Sequence, residues 1–241
     1  MKILAIDSSA VAASAALLED GKLTGEFFLN VGLTHSCTLM PMIRALLQYA
    51  DADIQDVDVF AVTNGPGSFT GVRIGVSTVK GMAQPLGKPC VGVSTLLSLA
   101  YNVRGTDALI CSAMDARCRQ VYTALFEERD GKIVRLTQDD AVSLDDLRAQ
   151  LMSAGKDVIF VGDGAQLCYD TCRDSLHGAR IAPETVRYQR AASAAAAVWA
   201  QQEELPAGSA DALSVSYLRL SQAERERKQK MEAQKHDSIG M

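Results

Sequence analysis

The stretch Ile3-Leu4-Ala5-Ile6-Asp7-Ser8-Ser9 is a short apolar run that stops on an acidic, hydroxyl-bearing turn, and the residues after it decide the fold. Residues 11–18 and 23–29 are half-apolar runs joined by Glu19-Asp20-Gly21-Lys22, and an Asp-Gly pair between such runs supplies the turn of a β-hairpin. The chain therefore opens as three strands. From His35 to Ala50, the residues Leu39, Met42, Ile43, Leu46 and Ala50 recur at helical spacing, with Met40 and Leu47 widening the apolar arc. Residues 57–63 read as the next strand, running into Asn64-Gly65-Pro66-Gly67-Ser68-Phe69-Thr70-Gly71. Beyond that loop Val72, Val76, Val79, Ala83 and Leu86 form a helical seam ended by Pro85, Gly87 and Pro89, and residues 90–93 are a further strand. A three-strand meander followed by alternating helices and strands predicts an α/β fold on a mixed sheet.

A second block repeats this opening. Residues 108–114 read as a strand ending in Asp115-Ala116-Arg117, and residues 120–127 and 133–136 flank Arg129-Asp130-Gly131 as another hairpin. Ser143 caps a short helix over 143–152, with Asp146 three residues on. A strand over 158–161 enters Gly162-Asp163-Gly164, and helices are expected over 165–175 and 191–202. The shared strand, acidic turn and hairpin suggest internal duplication, hence two lobes with a cleft between them. The expected division is 1–103 for the first lobe, 104–217 for a smaller second lobe and 218–241 for a charged helix or tail. In that tail Arg225, Arg227, Lys228 and Lys230 alternate with Glu224 and Glu226, which reads as a solvated face.

Composition narrows the function. At 48% hydrophobic and 22% charged over 241 residues, the chain can build a packed core and is neither disordered nor coiled-coil. With 24 basic against 29 acidic residues the net charge is −5, which repels phosphates, so any nucleic-acid role must be local or delegated to a partner. The six cysteines read as reduced thiols, Cys168 and Cys172 among them as ordinary helix residues. The apolar start is too short for export and no stretch has the length of a membrane span, so the expected location is the cytoplasm. No His-x-x-x-His or His-x-x-Glu spacing occurs, so no protein-held metal is expected.

The glycine loop is the sharpest local signal. Glycines between a strand and a helix let backbone N–H groups approach an anion, and the helix N-terminus adds partial positive charge; a purely structural strand-to-helix turn is the commoner case. It is not a Walker loop, because Lys80 lies more than two turns inside the helix, and Thr70 stands where the third glycine of a dinucleotide fingerprint would fall. Asp7, Ser8, Gly65, Gly67, Ser68, Thr70, Arg73 and Asp115 are the candidate nucleotide- or phosphate-facing residues. Ser8-Ser9 and Ala116-Arg117 follow the two acids where close approach to phosphate would want glycine, which argues against a working ATPase or sugar kinase. His35 beside Ser36 has the residue types of a base and a nucleophile, but adjacent side chains point different ways, and a capping or packing histidine is the commoner case. Gly71, Gly75, Thr78 and Met82 share a helix face that leaves room for another backbone. That face, with Val76 and Val79 and with His35, Leu39, Met42, Ile43 and Leu46 of the preceding helix, is the expected partner interface.

Several of these stretches carry a resemblance. Residues 3–9, Thr34-His35-Ser36 before Leu39-Met40-Pro41-Met42-Ile43, residues 65–75, Gly92-Val93-Ser94-Thr95-Leu96, Asp115-Ala116-Arg117 before Val121-Tyr122, and Tyr217-Leu218-Arg219 together resemble the TsaB (YeaZ-like) family of bacterial tRNA threonylcarbamoyladenosine biosynthesis proteins. The resemblance implies the two-lobed fold of the actin, sugar-kinase and heat-shock ATPase superfamily. It also implies a degenerate relative of TsaD, the catalytic subunit that transfers a threonylcarbamoyl group from its adenylate to an adenine next to the anticodon. The metal-binding His-x-x-x-His of TsaD falls at Thr95 and Leu99, neither of which is a metal ligand. The implied role is thus a non-catalytic subunit that docks a TsaD-like partner through the helices matching 34–47 and 70–86, or forms a homodimer when alone. A TsaE-like ATPase would join the assembly, and tRNA would be held mainly by the partner. No cofactor is expected on this chain alone, with a nucleotide at the partner interface as the candidate. The sequence departs from the family in having Val215-Ser216 where many relatives have proline, and in its longer charged tail. The rival expectations are a glycoprotease-like peptidase and a small-molecule kinase of the same superfamily.

Overall fold

The computed structural model describes residues 1–202 and 207–219. The first half runs β1 (Lys2–Asp7), β2 (Ala13–Glu19), β3 (Lys22–Leu29), α1 (His35–Tyr49), β4 (Val59–Gly65), α2 (Phe69–Leu86), β5 (Cys90–Ser94) and α3 (Thr95–Tyr101). The second runs β6 (Leu109–Asp115), β7 (Gln120–Arg129), β8 (Lys132–Arg135), β9 (Asp140–Ser143), α4 (Leu144–Ala154), β10 (Val158–Val161), α5 (Ala165–Cys172), β11 (Ala179–Ile181), α6 (Glu184–Arg187) and α7 (Ala191–Ala200). The first sheet has the order β3-β2-β1-β4-β5, and the second, read in the equivalent direction, β8-β7-β6-β10-β11. In both, the opening strand pairs antiparallel with its hairpin neighbour and parallel with the strand after the helix. The duplication is therefore topological, and the fold is the expected two-lobed actin-like α/β arrangement on mixed sheets.

The two hairpins turn on the same chemistry. Asp20 and Gly21 have φ of 47° and 80°, and Asp130 and Gly131 have φ of 51° and 74°. Two successive left-handed residues are what a two-residue turn needs to match strand twist, and Asp-Gly tolerates them. Because β1 alternates its side chains, it divides two cores. Leu4 and Ile6 pack with α1 and α2, whereas Ile3 and Ala5 pack with α3 and α7. Helix α3 also packs on β6 and β7 of the second sheet and α7 packs on α3, so the two helices form a layer between the sheets, in one core with Ile110, Phe126 and Ile159. On the far side, Leu147 and Leu151 of α4 and Cys168 and Cys172 of α5 cover Leu109, Cys111 and Phe160. Helix α4 starts as its sequence implies, with Ser143 Oγ accepting from the Asp146 N–H at 3.1 Å.

Sequence periodicity does not reveal α3, because every residue from Thr95 to Tyr101 is buried and the helix shows no polar face. The expected second lobe over 104–217 is also corrected. Its segment 109–187 builds the second sheet, but the chain then crosses back, and α7 packs on β1, β2 and β4 of the first. The crossing is pinned where Arg190 Nε donates to Glu26 Oε2 at 3.0 Å and the Ala192 N–H to Glu26 Oε1 at 3.1 Å. Residues 207–219 continue over the first sheet as a strap. The Cys90 N–H donates to the Gly208 carbonyl at 2.7 Å, Asn64 Nδ2 to the Ser214 carbonyl at 3.0 Å and the Ser216 N–H to the Asn64 carbonyl at 2.7 Å. The charged run expected as a tail, with Arg225, Arg227, Lys228 and Lys230, lies outside the described residues. No helix among the described residues is long and apolar enough to cross a membrane.

Candidate functional site

The ends of β1, β4, β6 and β10 converge on one opening, because in a parallel sheet the loops that leave the carboxyl ends of the strands gather on one edge. There a cleft of about 560 Å³ lies between the glycine loop on one side and Met114 to Arg117, Tyr122 and Asp163 on the other, with Val215 to Arg219 of the strap along it. Of the expected phosphate-facing residues, Gly67, Ser68, Thr70 and Asp115 line this space.

The glycine loop itself is packed against its own chain, the geometry of a structural strand-to-helix turn. A side chain at Gly67 would strike the Ser9 carbonyl, one at Gly71 the Ser8 carbonyl, and one at Gly65 the Ser216 carbonyl. Gly65 and Gly67 have φ of 126° and 157°, so glycine is needed there for backbone conformation as well as for space. The Ser68 N–H, which could meet an anion, donates to the Ser9 carbonyl at 2.7 Å, and the Gly71 N–H donates to Ser68 Oγ at 3.2 Å. Asp7 and Ser8 are completely buried and do not reach the cleft. Asp7 Oδ1 accepts from the Ser9 N–H at 2.9 Å and from Ser9 Oγ at 2.7 Å, while Ser8 Oγ donates to the Gly71 carbonyl at 2.9 Å. Burial pushes the Asp7 carboxyl up to about 6 even though the Ser9 donors pull it the other way. Burial likewise raises Asp163, whose Oδ1 accepts from Gln189 Nε2 at 2.7 Å.

Arg73 belongs to a stack at the rim. Its guanidinium lies 3.7 Å from the Phe69 ring centroid, and its Nε donates to Tyr217 Oη at 2.6 Å. Phe69 and Tyr217 stack with centroids 4.9 Å apart. Sequence reasoning missed this role for Tyr217, and the signal was its Tyr-Leu-Arg context. Arg219, two residues on, donates to Gln120 Oε1 and, at 3.4 Å, to the Ala116 carbonyl, so the strap ties the first sheet to the second.

The expected partner interface is also redrawn. Leu39, Met42, Ile43, Leu46, Gly71, Gly75, Val76, Val79 and Met82 are buried in this chain's own core. Gly75 is small so that α2 can lie against Ser8 and Val62, not so that a partner can approach. Thr78 and His35 are half-buried, and His35 Nε2 is held at 2.7 Å by the Ala10 carbonyl. Its other nitrogen, Nδ1, is buried and bonds neither Ser36 nor any other group, so the nucleophile–base pair that a peptidase would need is not formed. The outward faces of these helices instead carry Met40, Pro41 and Arg44 on α1 and Ser77 and Gly81 on α2, with Val31 and Leu33 exposed just before α1. The positions that match the TsaD metal ligands, Thr95 and Leu99, are both fully buried on α3.

Comparison with known proteins accords with this geometry. A family model described as TsaD, tRNA N6-adenosine threonylcarbamoyltransferase, matches residues 31–231. The chain is 34% identical over 224 residues to the tRNA threonylcarbamoyladenosine biosynthesis protein TsaB of Bacillus subtilis, covering 93% of this chain and 96% of that protein. It is 32% identical over 178 residues to TsaB of Escherichia coli, covering 73% and 77% of the two chains. The solved structure of YeaZ from Pseudomonas aeruginosa superposes with a TM-score of 0.75 at 28% identity, covering 90% of this chain and 99% of that one. A shared duplicated topology, a glycine loop closed on its own backbone and near-full-length similarity have one reading: the chain belongs to the TsaB family of tRNA threonylcarbamoyladenosine biosynthesis proteins.

Proposed function

We propose that this chain acts in the threonylcarbamoyl modification of tRNA as a non-catalytic subunit that docks and supports a TsaD-like transferase, in an assembly with a TsaE-like ATPase. The observation that carries this reading is the state of the glycine loop. Where an actin-like catalyst would seat phosphates, this chain seats the carbonyls of Ser8, Ser9 and Ser216. Polar hydrogen-bonding capacity already satisfied inside the protein is not available to stabilise a transferring group. The kinase reading loses Asp7 to burial, and the peptidase reading finds His35 Nδ1 buried and not bonded to Ser36.

The docking surface we assign is the outer ridge of α1 and α2. Met40 is 45% exposed, and Val31 and Leu33 are 62% and 59% exposed on the approach to it, so apolar area faces outward beside two glycine- and serine-bearing turns of α2. Reconstitution tests it. Met40→Arg together with Ser77→Arg is expected to weaken co-purification with the TsaD-like subunit on the order of a hundredfold, since an unpaired charge buried at an interface costs ~3 kcal/mol. Modification of tRNA should fall with it while the melting temperature stays unchanged. Full association and full modification with both substitutions present would remove the ridge from consideration.

A further inference from the structure

The rim of the cleft carries a grouping that partner docking leaves unused. Arg117, Cys118 and Arg119 follow one another with left-handed backbones, φ 62°, 52° and 56°, and all three are exposed. The turn is held by the Arg117 N–H donating to Asp115 Oδ1 at 2.7 Å and the Gln120 N–H donating to the Arg117 carbonyl at 3.1 Å. It therefore displays two guanidinium groups from a defined backbone, and neither has a hydrogen bond or ion pair among the described residues. Across the opening stands the Phe69, Arg73 and Tyr217 stack, and the Arg219 guanidinium lies 5.8 Å from the Tyr122 ring centroid. Arg117 and Arg219 thus line the cleft with Phe69, Tyr122 and Tyr217, and Arg119 stands two residues along the turn from Arg117, in a chain whose net charge is −5. Asp115 and Asp163, both exposed, line the same space.

That order of groups selects a ligand. A free nucleoside triphosphate wants its donors at the glycine loop, and those face inward. The two acidic groups repel phosphate, whereas the arginines attract it, so a phosphate is held on the arginine side of the mouth. Asp115 and Asp163 each use Oδ1 within the chain and keep Oδ2 as an acceptor suited to the N–H edge of a base, and the rings and guanidinium planes beside them are stacking surfaces. A cleft of about 560 Å³ has room for one or two nucleotides and none for a duplex.

We propose that this mouth binds an unpaired nucleotide of an RNA strand, with its phosphates on Arg117 and Arg119 and its base stacked at the rim and facing Asp115. The inference rests on the tRNA reading above and adds to it that this chain itself touches the RNA. It also reconciles an acidic protein with a nucleic-acid pathway, because the basic surface is local.

Fluorescence anisotropy with a labelled tRNA anticodon stem-loop tests this, using the full chain alone and in complex with its TsaD-like partner, with a blunt RNA duplex as control. Wild type should prefer the stem-loop to the duplex. Arg117→Glu with Arg119→Glu should weaken stem-loop binding tenfold or more. It should also flatten the dependence of log affinity on log salt by about 1.4, at ~0.7 per lost single-strand phosphate contact. Arg117→Lys with Arg119→Lys should retain most of the affinity, which keeps the test decisive if the glutamate pair disturbs folding. Unchanged affinity and salt slope in the glutamate pair overturn the proposal, as does displacement of the RNA by AMP or ATP at comparable concentration, which would make the cleft a mononucleotide pocket. Partner pull-down with the same proteins separates the two readings. Lost RNA binding with retained partner binding supports the RNA contact, whereas RNA binding by a wild type that ignores the partner would sink the docking reading alone.

Discussion

Asp7 shows how one residue type changes meaning with depth. At the end of a strand in an α/β protein an aspartate reads as a phosphate- or magnesium-facing group, yet here it is fully buried and its Oδ1 is taken by Ser9. Burial raises its carboxyl from 3.8 to about 6, so the folded state binds the proton more tightly than the unfolded chain does. The stabilising contribution is therefore complete below about pH 4 and is lost as pH rises through about 6, an effect of about 3 kcal/mol. Asp7→Asn removes the titration. Urea unfolding of both proteins at pH 4 and pH 7.5 should show the variant gaining on wild type at the higher pH by that order, and parallel stabilities would refute the assignment. Nothing in the local sequence separates this buried aspartate from the exposed Asp115, since both end a strand before a small residue.

At the scale of elements, the junction between β4 and α2 was legible as a strand, a glycine-rich loop and a helix, because its apolar spacing changes period there. Its purpose was not. Glycine permits close approach by any backbone, whether it belongs to a ligand or to the chain itself, and the approaching groups prove to be the Ser8, Ser9 and Ser216 carbonyls. Gly67→Ala combines a φ of 157° with collision against Ser9, and should destabilise the protein by about 2 kcal/mol, read from denaturant midpoints. A ligand-cradle role predicts instead a stable variant with lost binding. Which faces of α1 and α2 stay outside is hidden in the sequence for a related reason. Both helices are apolar over a broad arc, and periodicity alone does not say that the sheet takes Leu39, Ile43, Val76 and Val79 and leaves Met40 and Ser77 outside.

Over the whole molecule, the decisive event is the return of the chain after β11. Helix α7 closes the inner face of the first sheet with Ala191, Ala194, Ala195 and Ala197, all fully buried, and Arg190 locks it to Glu26. Residues 1–103 expressed alone should consequently expose that face, bind a hydrophobic dye and lack a cooperative thermal transition, whereas a cooperative melt would show the first half to be self-sufficient. The two strand-hairpin openings, the mixed α/β class and the family can be read along the chain, because hydrophobic period, Asp-Gly turns and motif order are local properties. Which glycines meet their own backbone, which acids sink out of reach and which arginines share a mouth with Tyr122 and Tyr217 are set by the packed fold. Those outcomes depend on packing that brings together groups as far apart as 63 residues for Ser8 and Gly71, 99 for Gln120 and Arg219 and 144 for Arg73 and Tyr217, and no local pattern records that encounter.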